Sequence, residues 1–344
     1  MARPRGDRGS GLLQRNPCDA RAPGRTKMSY RLDPRIPLSD GVRRIGIEQL
    51  RDAVALLDEG RVKRDGGAHD ARKRFKRLRG LLRLVADAAP DFRRREEERV
   101  KDIAASLSVI RDATAIVEAI DRLAREADGP QAVDHLMALR RGLLARRDRI
   151  VRKQGSLDAT INRAIEGLHL AAKAFEDLSL PVAPEEAAAL LARGMEKTYR
   201  SACNALRKAV KKGRDEDFHE LRKSVKYHEM HLQLLGGIWP AELKERWKQA
   251  EHLGERLGEL HDIPVLAETI ESEKIGDKAD RKFVRGMMLT KRKELAAECL
   301  KKARTLFKAS AEEIARDLAI HYVLAVARSE PMSVSAPTRN KGRG

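Results

Sequence analysis

The sequence predicts an all-α protein made of two related helical bundles. Charged residues make up 36% of the 344 positions and aromatic residues only 3%. That balance is typical of amphipathic helices, whereas sheet proteins depend more on aromatic and β-branched side chains. No segment alternates polar and apolar residues between hairpin turns, so we expect essentially no sheet. A repeat at a constant offset of 150 residues predicts a tandem duplication.

The repeat extends without gaps through about 70 residues. A shift of 150 positions superimposes His69 on His219, Arg72 on Arg222, Lys73 on Lys223, Lys76 on Lys226, Leu82 on Leu232, Pro90 on Pro240, Leu107 on Leu257, Asp112 on Asp262, Glu118 on Glu268, Ile120 on Ile270 and Leu139 on Leu289. The sequence therefore predicts two halves, 39–180 and 184–327, joined by a linker at 178–184.

Helical periodicity predicts five helices in each half. They are expected near 40–60, 68–88, 91–110, 113–127 and 131–177, and then near 184–213, 216–236, 240–261, 264–273 and 279–326. Pro90 and Pro240 stand where a first helical turn tolerates proline. Pro264 predicts a break after His261-Asp262, with Asp262 as a helix cap. By the repeat, a matching break is expected at Arg111-Asp112.

Positive charge is distributed along the whole chain. The formal net charge is +19, of which residues 1–27 contribute +5 and residues 329–344 contribute +2, so the body keeps +12. Such an excess attracts nucleic acid, polyphosphate or anionic membranes, and it does not determine the fold. We expect basic, disordered termini at 1–27 and 328–344. An alternative for the first of these is that translation begins at Met28.

The cysteines and the apolar runs indicate the compartment. Cys18, Cys203 and Cys299 lie far apart without a CxxC pair, which excludes a recognisable disulfide framework or zinc motif and fits a reducing cytoplasm. No apolar run approaches the ~20 residues that span a membrane, and none suits a signal peptide. We therefore expect a cytoplasmic protein without a membrane partner.

Residues 68–85 carry two interleaved stripes on one predicted helix. The core-facing seam recurs at spacings of three and four and consists of Ala71, Phe75, Leu78, Leu82 and Val85. About 100° further round the helix lies a basic stripe of His69, Arg72, Lys76, Arg79 and Arg83, which Lys73 and Arg77 widen. The duplicate repeats His219, Arg222, Lys223 and Lys226, but it has Glu229 and Gln233 in place of Arg79 and Arg83.

A basic helix face is most often a solvated surface, and this is the alternative interpretation of the stripes. Three features favour an anion site. Acids for i,i+4 pairs are nearly absent, the stacked like charges repel one another unless an anion is bound, and the pattern recurs in the second copy. Arg offers phosphate a fork of donors, Lys a mobile charge, and His a donor that titrates near neutral pH. The shared His-x-x-Arg-Lys-x-x-Lys stub is therefore the predicted polyanion site.

Other chemistry-bearing residues give weaker signals. Secondary phosphate contacts are assigned to Arg77, Arg111, Arg140, Arg141, His261, Lys291 and Arg292, for which a solvated role is an equal alternative. His228 and His231 lie three residues apart but form no HExxH motif, and Glu96-Glu97-Glu98 is expected to be a solvated helix turn. No Walker loop, GxGxxG or GxSxG occurs, so we expect no metal, no cofactor and no catalysis.

The paired motifs resemble a known family. The two His-x-x-Arg-Lys-x-x-Lys helices, the segments 107–112 and 257–262, and the opening Met28-Ser-Tyr-Arg-Leu-Asp-Pro-Arg are similar to those of CHAD, the conserved histidine α-helical domain. The resemblance covers residues 38–327. It implies two helical bundles related by a pseudo-two-fold axis with a basic groove or pore between them. It also implies binding of inorganic polyphosphate and association with polyphosphate granules.

The resemblance can be carried over residue by residue. It implies that the ligand residues are His69, Arg72, Lys73, Lys76, His219, Arg222, Lys223 and Lys226. Many relatives also carry a triphosphate-tunnel (CYTH) domain, but its ExExK strand motif does not occur here, so triphosphatase activity is not implied. His261 stands where the first copy has Arg111, which argues against equal contributions by the two halves.

The leading hypothesis is therefore non-catalytic binding of inorganic polyphosphate. A nucleic-acid-binding protein is the alternative, because the same charge attracts phosphodiester backbones. Single-strand binders use aromatic stacking platforms, however, and only Tyr227 lies near the stripes. A duplex reader needs polar side chains that contact base edges, and the stripes offer few. An enzyme acting on phosphate esters is third, since no general base or metal cage is visible.

Overall fold

The computed structural model describes residues 30–63, 67–153 and 158–328, with the side chains at 61–63 and 109–111 outside that description. Within these ranges the chain forms eleven helices and no strand, which confirms the all-α class. The helices are α1 (Leu38–Lys63), α2 (Gly67–Leu84), α3 (Pro90–Ser106), α4 (Ser108–Arg125), α5 (Pro130–Lys153), α6 (Asp158–Glu176), α7 (Pro184–Lys212), α8 (Asp215–Leu235), α9 (Pro240–Ser272), α10 (Lys278–Leu306) and α11 (Ala311–Ala327). None of them is long and apolar enough to cross a membrane. The predictions for residues 1–27 and 329–344 lie outside the described residues.

Local sequence explains where several helices begin and end. α3, α7 and α9 start at Pro90, Pro184 and Pro240, where the missing N–H would have no helical partner. Gly213 ends α7 with a φ of 65°, a left-handed conformation that favours glycine. At the start of α11, Ser310 and Glu313 form a capping box in which each side chain accepts the other residue's backbone N–H.

Two long helices of the sequence-based prediction are wrong, because each is two helices. The segment at 131–177 forms α5 and α6, and the segment at 279–326 forms α10 and α11. The second division falls at the Ser310–Glu313 capping box, a signal that apolar periodicity alone overlooked. Between α5 and α6 the sequence contains Gly155-Ser156, a pair typical of turns.

The predicted break before Pro264 is also wrong. α9 continues through Pro264, although a proline inside a helix removes a hydrogen bond and costs about 3 kcal/mol. The helix packs against α4, α8 and α10. Leu257, Leu260 and Leu266 are buried on both sides of the proline, and this tertiary packing offsets the local loss.

In the first half the break lies at Leu107 and not at Arg111-Asp112. Ser106 donates its hydroxyl to the carbonyl oxygen of Ile103 at 2.8 Å, a bond that competes with regular helix continuation. Asp112 lies inside α4 and not at a cap, with its carboxylate directed toward Arg72. Consequently α3 and α4 of the first half correspond to the single helix α9 of the second.

The helices of the two halves pack in the same order. α1 packs against α2 and α6, as α7 packs against α8 and α11, and α4 packs on α5 as α9 packs on α10. Between the halves, α2 contacts α7 and α8, α4 contacts α9, and α5 contacts α10. The tandem duplication and its pseudo-two-fold symmetry stay predictions.

One close approach between the halves depends on a glycine. A Cβ at Gly194 of α7 would clash with the backbone carbonyl of Leu84, the last residue of α2. Only glycine allows two backbones to come this near. The contact fixes the C-terminal end of the first motif helix against the second half.

Candidate functional site

The two motif helices, α2 and α8, cross in opposite directions. His231 of α8 lies with its Nε2 3.0 Å from the carbonyl oxygen of Gly80 in α2. Arg83 of α2 covers the ring of Tyr227 in α8, with 4.1 Å between its Cζ and the ring centroid. Numbers rise along one helix as they fall along the other, so the two stubs lie on opposite sides of this crossing. A single ligand that touches both stubs must extend across it.

In the first stub, carboxylates approach the basic residues from two directions. Lys73 Nζ lies 2.9 Å from Asp70 Oδ1, three residues earlier in α2. Arg72 Nη1 lies 3.6 Å from Asp112 Oδ1 in α4. Arg72 is 27% exposed and Asp112 is 62% exposed, so this pair is loose and accessible. The first stub therefore has acidic partners at other positions than the i,i+4 spacing, one at i−3 in the same helix and one in α4.

The second stub repeats the first of these contacts at the same offset. Lys223 Nζ lies 2.9 Å from Glu220 Oε1, as Lys73 lies against Asp70. Arg222 is influenced by the charge of Asp262, the counterpart of Asp112. Burial lowers the pKa of Arg222, and the Asp262 carboxylate opposes that shift. The repeated motif thus includes one acid for each of its first two cations.

The third cation of the second stub is held differently from its counterpart. Lys226 Nζ forms a 2.5 Å ion pair with Glu229, whose side chain is only 14% exposed. Burial raises the pKa of Glu229, and the charge of Lys226 counteracts this. A Cβ at Gly254 of α9 would lie 2.8 Å from Lys226 Cδ, so the absent side chain there leaves room for the lysine stem. Lys226 is consequently packed between α8 and α9.

A histidine pair lies beside Arg222. The rings of His219 in α8 and His261 in α9 have centroids 4.7 Å apart. Burial, followed by the charge of Lys223, lowers the pKa of His219, and burial followed by Arg222 lowers the pKa of His261. Both rings are therefore mainly neutral at pH 7. Among the described residues, the buried side-chain atoms without a hydrogen-bond partner include His219 Nδ1 and Arg222 Nε.

Sequence reasoning missed a contribution from α4 to this cluster. Arg122 forms an ion pair with Asp262, which lies 140 positions away, and no motif marks either the residue or the spacing. The pair joins the first half of the chain to the second. The cavity beside it, lined in part by Arg122, Asp262 and Lys291, measures about 20 Å³, which is room for water and not for a phosphate chain.

Arg79 and Arg83, which extend the first stripe beyond its stub, are held by one buried carboxylate. Glu97 of α3 accepts from Arg79 at 3.3 Å, from Arg83 at 2.5 Å and from Arg93 at 2.7 Å. Burial favours a higher pKa for Glu97, but the hydrogen bonds and charges of Arg83 and Arg93 outweigh it and lower the pKa. Glu96 is also buried. The expected solvated turn at 96–98 is therefore wrong for two of its three glutamates.

The remaining predicted residues are dispersed. The ion pairs of the secondary candidates are Arg140 with Asp121 at 2.5 Å, Lys291 with Glu126 at 2.6 Å and Arg292 with Asp215 at 2.6 Å. His69 and Arg77 are half-buried, and Lys76 and Arg141 are exposed. The side chain of Arg111 lies outside the described residues. A role for these residues in phosphate binding stays a prediction.

His228 and His231 of α8 are buried inside the protein. His228 lies against Tyr199 and Phe307, with ring centroids 5.3 Å and 5.4 Å away. Burial lowers the pKa of His228 to about 3 and that of His231 to about 4. Within the described part of the chain, no three His, Cys, Asp or Glu side chains are grouped to hold a metal ion. The two histidines belong to the core.

Comparison with known proteins assigns the chain to a family. A family model of the CHAD domain matches residues 45–271, and no curated protein sequence matches the chain. The structure is similar to the crystal structure of the CHAD domain from the plant Ricinus communis, with a TM-score of 0.54 and 18% identity over 84% of this chain and 97% of that chain. This likeness concerns the fold alone. Because the family model covers both motif helices and more than half of the sequence, the chain belongs to the CHAD domain family.

Proposed function

We propose that this protein binds inorganic polyphosphate, without catalysing a reaction, and that this binding directs it to polyphosphate granules. The observation that carries the proposal is the positive charge of the α2 stripe. Residues 69–83 hold seven Lys or Arg and one acid. Three further carboxylates, Asp112, Glu97 and Asp52, approach these residues from α4, α3 and α1. A polyphosphate supplies about one negative charge per phosphate and would relieve the repulsion among these cations.

The arrangement of the cations also favours tight binding. Arg79 and Arg83 are each fixed by Glu97, and Arg83 lies on the Tyr227 ring. Side chains that are already ordered lose less conformational entropy when a ligand binds. Guanidinium groups held this way still offer further N–H donors, because each has five and a carboxylate engages at most two or three. The stripe is thus preorganised for phosphate oxygens.

The surroundings of Tyr227 support polyphosphate over nucleic acid. A single-strand binder uses open aromatic faces on which bases stack. Here the guanidinium of Arg83 already covers the Tyr227 ring, so this ring is not open for stacking. Nucleic-acid binding remains the competing function, carried only by non-specific charge attraction.

The first test compares ligands of equal charge. Long-chain polyphosphate and single-stranded and duplex DNA are titrated against the protein at several salt concentrations. We expect polyphosphate to bind more tightly at about 150 mM salt, with log affinity falling by about 0.7 per neutralised phosphate for each unit of log salt, by analogy with single strands. Equal or tighter DNA binding would favour the competing function and contradict the proposal.

The second test locates the site. The double variant Arg72→Ala/Arg222→Ala removes the arginine that both stubs share, and we expect it to weaken polyphosphate binding at least tenfold, with helicity unchanged. The matched control is Arg285→Ala/Arg316→Ala, which removes two exposed arginines of α10 and α11 and changes the net charge equally. An equal loss in both variants would mean that charge alone, and not the stripes, determines binding.

A further inference from the structure

An open cavity lies beside the helix crossing, outside both stubs. It measures about 310 Å³ and is lined by residues of α2, α3, α7 and α8 and of the segment between α2 and α3. Its cations are Arg83, Arg93 and Lys197, and hydroxyl groups come from Ser201 and Ser224. Ligand cavities generally begin at about this volume, so the space suits a small molecule. The charged and hydroxyl groups lie on a lining that is otherwise mostly apolar.

The cations of this cavity outnumber the carboxylates that hold them. Glu97 is shared by Arg83, Arg93 and Arg79, so one negative charge faces three positive charges. Asp87 lies 2.6 Å from Lys197 Nζ and 3.6 Å from Arg193 Nε. The charged groups that line the cavity itself are Arg83, Arg93, Lys197 and Asp87, with a net charge of +2. This excess of positive charge favours a compact anion.

The hydroxyl groups complete an oxyanion lining. Ser201 Oγ and Ser224 Oγ lie 3.2 Å apart. When one of them donates to the other, the accepting hydroxyl keeps its own proton free to donate to a bound oxygen. Arg83 is fixed on one side by Glu97 and on the other by the Tyr227 ring. The donors are thus held in place before any ligand arrives.

The two serines of this cavity have no counterpart in the first half. The positions in the first half that correspond to Ser201 and Ser224 are Arg51 and Arg74. Arg74 extends toward Asp52, with 3.3 Å between Nη1 and Oδ2. The serine hydroxyls of the cavity are therefore specific to the second copy.

We propose that this cavity binds a compact phosphoanion of the size and charge of pyrophosphate, either as the free ion or as the end of a polyphosphate chain. The guanidinium groups of Arg83 and Arg93 and the ammonium of Lys197 bind the phosphate oxygens, and a serine hydroxyl donates to them. Arg83 also belongs to the α2 stripe, so the tests use residues of the cavity alone. The site does not depend on the proposed function of the stubs.

The decisive experiment is calorimetric titration of the full chain with pyrophosphate. Lys197→Ala/Ser201→Ala removes a cation and a hydroxyl, and both residues are exposed, so the variant is expected to fold. We expect its affinity for pyrophosphate to fall at least tenfold. Lys208→Ala, on the same helix but outside the cavity lining, is the matched control and should bind as the wild type does. No binding by the wild type, or an equal loss in the control, overturns the proposal.

A second arm separates this site from the stubs. Arg72→Ala/Arg222→Ala should retain pyrophosphate binding even where it loses long-chain polyphosphate. If pyrophosphate binding is lost in that variant and retained in Lys197→Ala/Ser201→Ala, the anion binds at the stubs and the proposal is wrong. Long linear chains and end-blocked chains of equal length then identify the source. If the cavity variant binds linear chains more weakly but binds end-blocked chains normally, the cavity binds chain ends. If the variant loses affinity for pyrophosphate but for neither kind of chain, the cavity binds the free ion.

Discussion

The two copies of the motif carry the same residues but very different charge. Residues 69–83 have a net charge of +6, whereas residues 219–233 have a net charge of +1. In the second copy the cations Arg222, Lys223 and Lys226 face Asp262, Glu220 and Glu229. A repeated signature thus preserves positions without preserving electrostatics.

The largest single contribution to this difference arises at one position, and the replacement of Arg74, Arg77 and Arg83 by uncharged residues supplies the rest. Arg79 in the first copy corresponds to Glu229 in the second. Arg79 extends the basic stripe and is held by Glu97 at 3.3 Å, while Glu229 pairs with Lys226 inside the stripe itself. We infer that the first copy supplies most of the attraction for a polyanion. The second supplies a half-buried, partly neutral cluster of Arg222, His219 and His261.

The largest expected effect concerns buried histidines that only the second copy contains. His228 and His231 occupy the positions of Leu78 and Leu81, and burial holds their pKa values near 3 and 4. In the unfolded chain both protonate below about pH 6.5, so stability is present above that pH and is lost as the pH falls. Between pH 7.5 and 5.0 the pair should lower the free energy of unfolding by about 4 kcal/mol.

Urea denaturation at the two pH values measures this loss. His228→Leu/His231→Leu places the first-copy residues in the second copy and should remove that part of the pH dependence. An equal change in the wild type and in the variant would show that these histidines titrate normally in the folded protein.

The next effect compares the acids of the two copies. Glu97→Gln leaves three arginines without their shared carboxylate. We expect it to destabilise the protein by about 2 kcal/mol, less than for a fully buried pair because the arginines are about one-third exposed. Glu229→Gln leaves only Lys226 without its carboxylate, and burial raises the pKa of this carboxyl. We therefore expect Glu229→Gln to lower the free energy of unfolding less than Glu97→Gln does. Thermal unfolding of the two variants at pH 7 ranks them, and a larger effect of Glu229→Gln would contradict the comparison.

Single arginine variants test whether the copies contribute unequally to binding. Arg72→Ala should weaken polyphosphate binding about tenfold, because an accessible charge-assisted contact is worth at least that factor. Arg222→Ala should cost about threefold, since Arg222 is half-buried and the nearby Asp262 carboxylate already offsets its charge. The polyphosphate affinities of the two variants, measured at one salt concentration, test this difference. A larger loss in Arg222→Ala would reverse the assignment of the two copies.

The smallest expected effect is a pH dependence of polyphosphate binding. His219 and His261 have lowered pKa values in the free protein, and a bound polyanion should raise them. Binding then takes up protons and strengthens as the pH falls. From pH 7.5 to 6.0 we expect about threefold more gain in affinity for the wild type than for His219→Gln/His261→Gln. Parallel affinity curves for the two proteins would rule out this coupling.

Much of the helical order could be predicted from the sequence. Apolar periodicity, proline in first turns and the absence of alternating segments were enough for the all-α class and for most helix starts. Local signals were outweighed at Pro264, where packing against three helices keeps α9 continuous. Ser310 shows the opposite case, because its capping box was present in the sequence and was overlooked.

The residues of the basic stripes can be identified from the sequence, because a helix of 3.6 residues per turn places positions three and four apart on one face. How much of that charge remains available to a ligand depends on contacts between helices. Glu97, Asp112 and Asp262 reach the stripe arginines from other helices. Their positions depend on which helices pack together, and no local pattern encodes that.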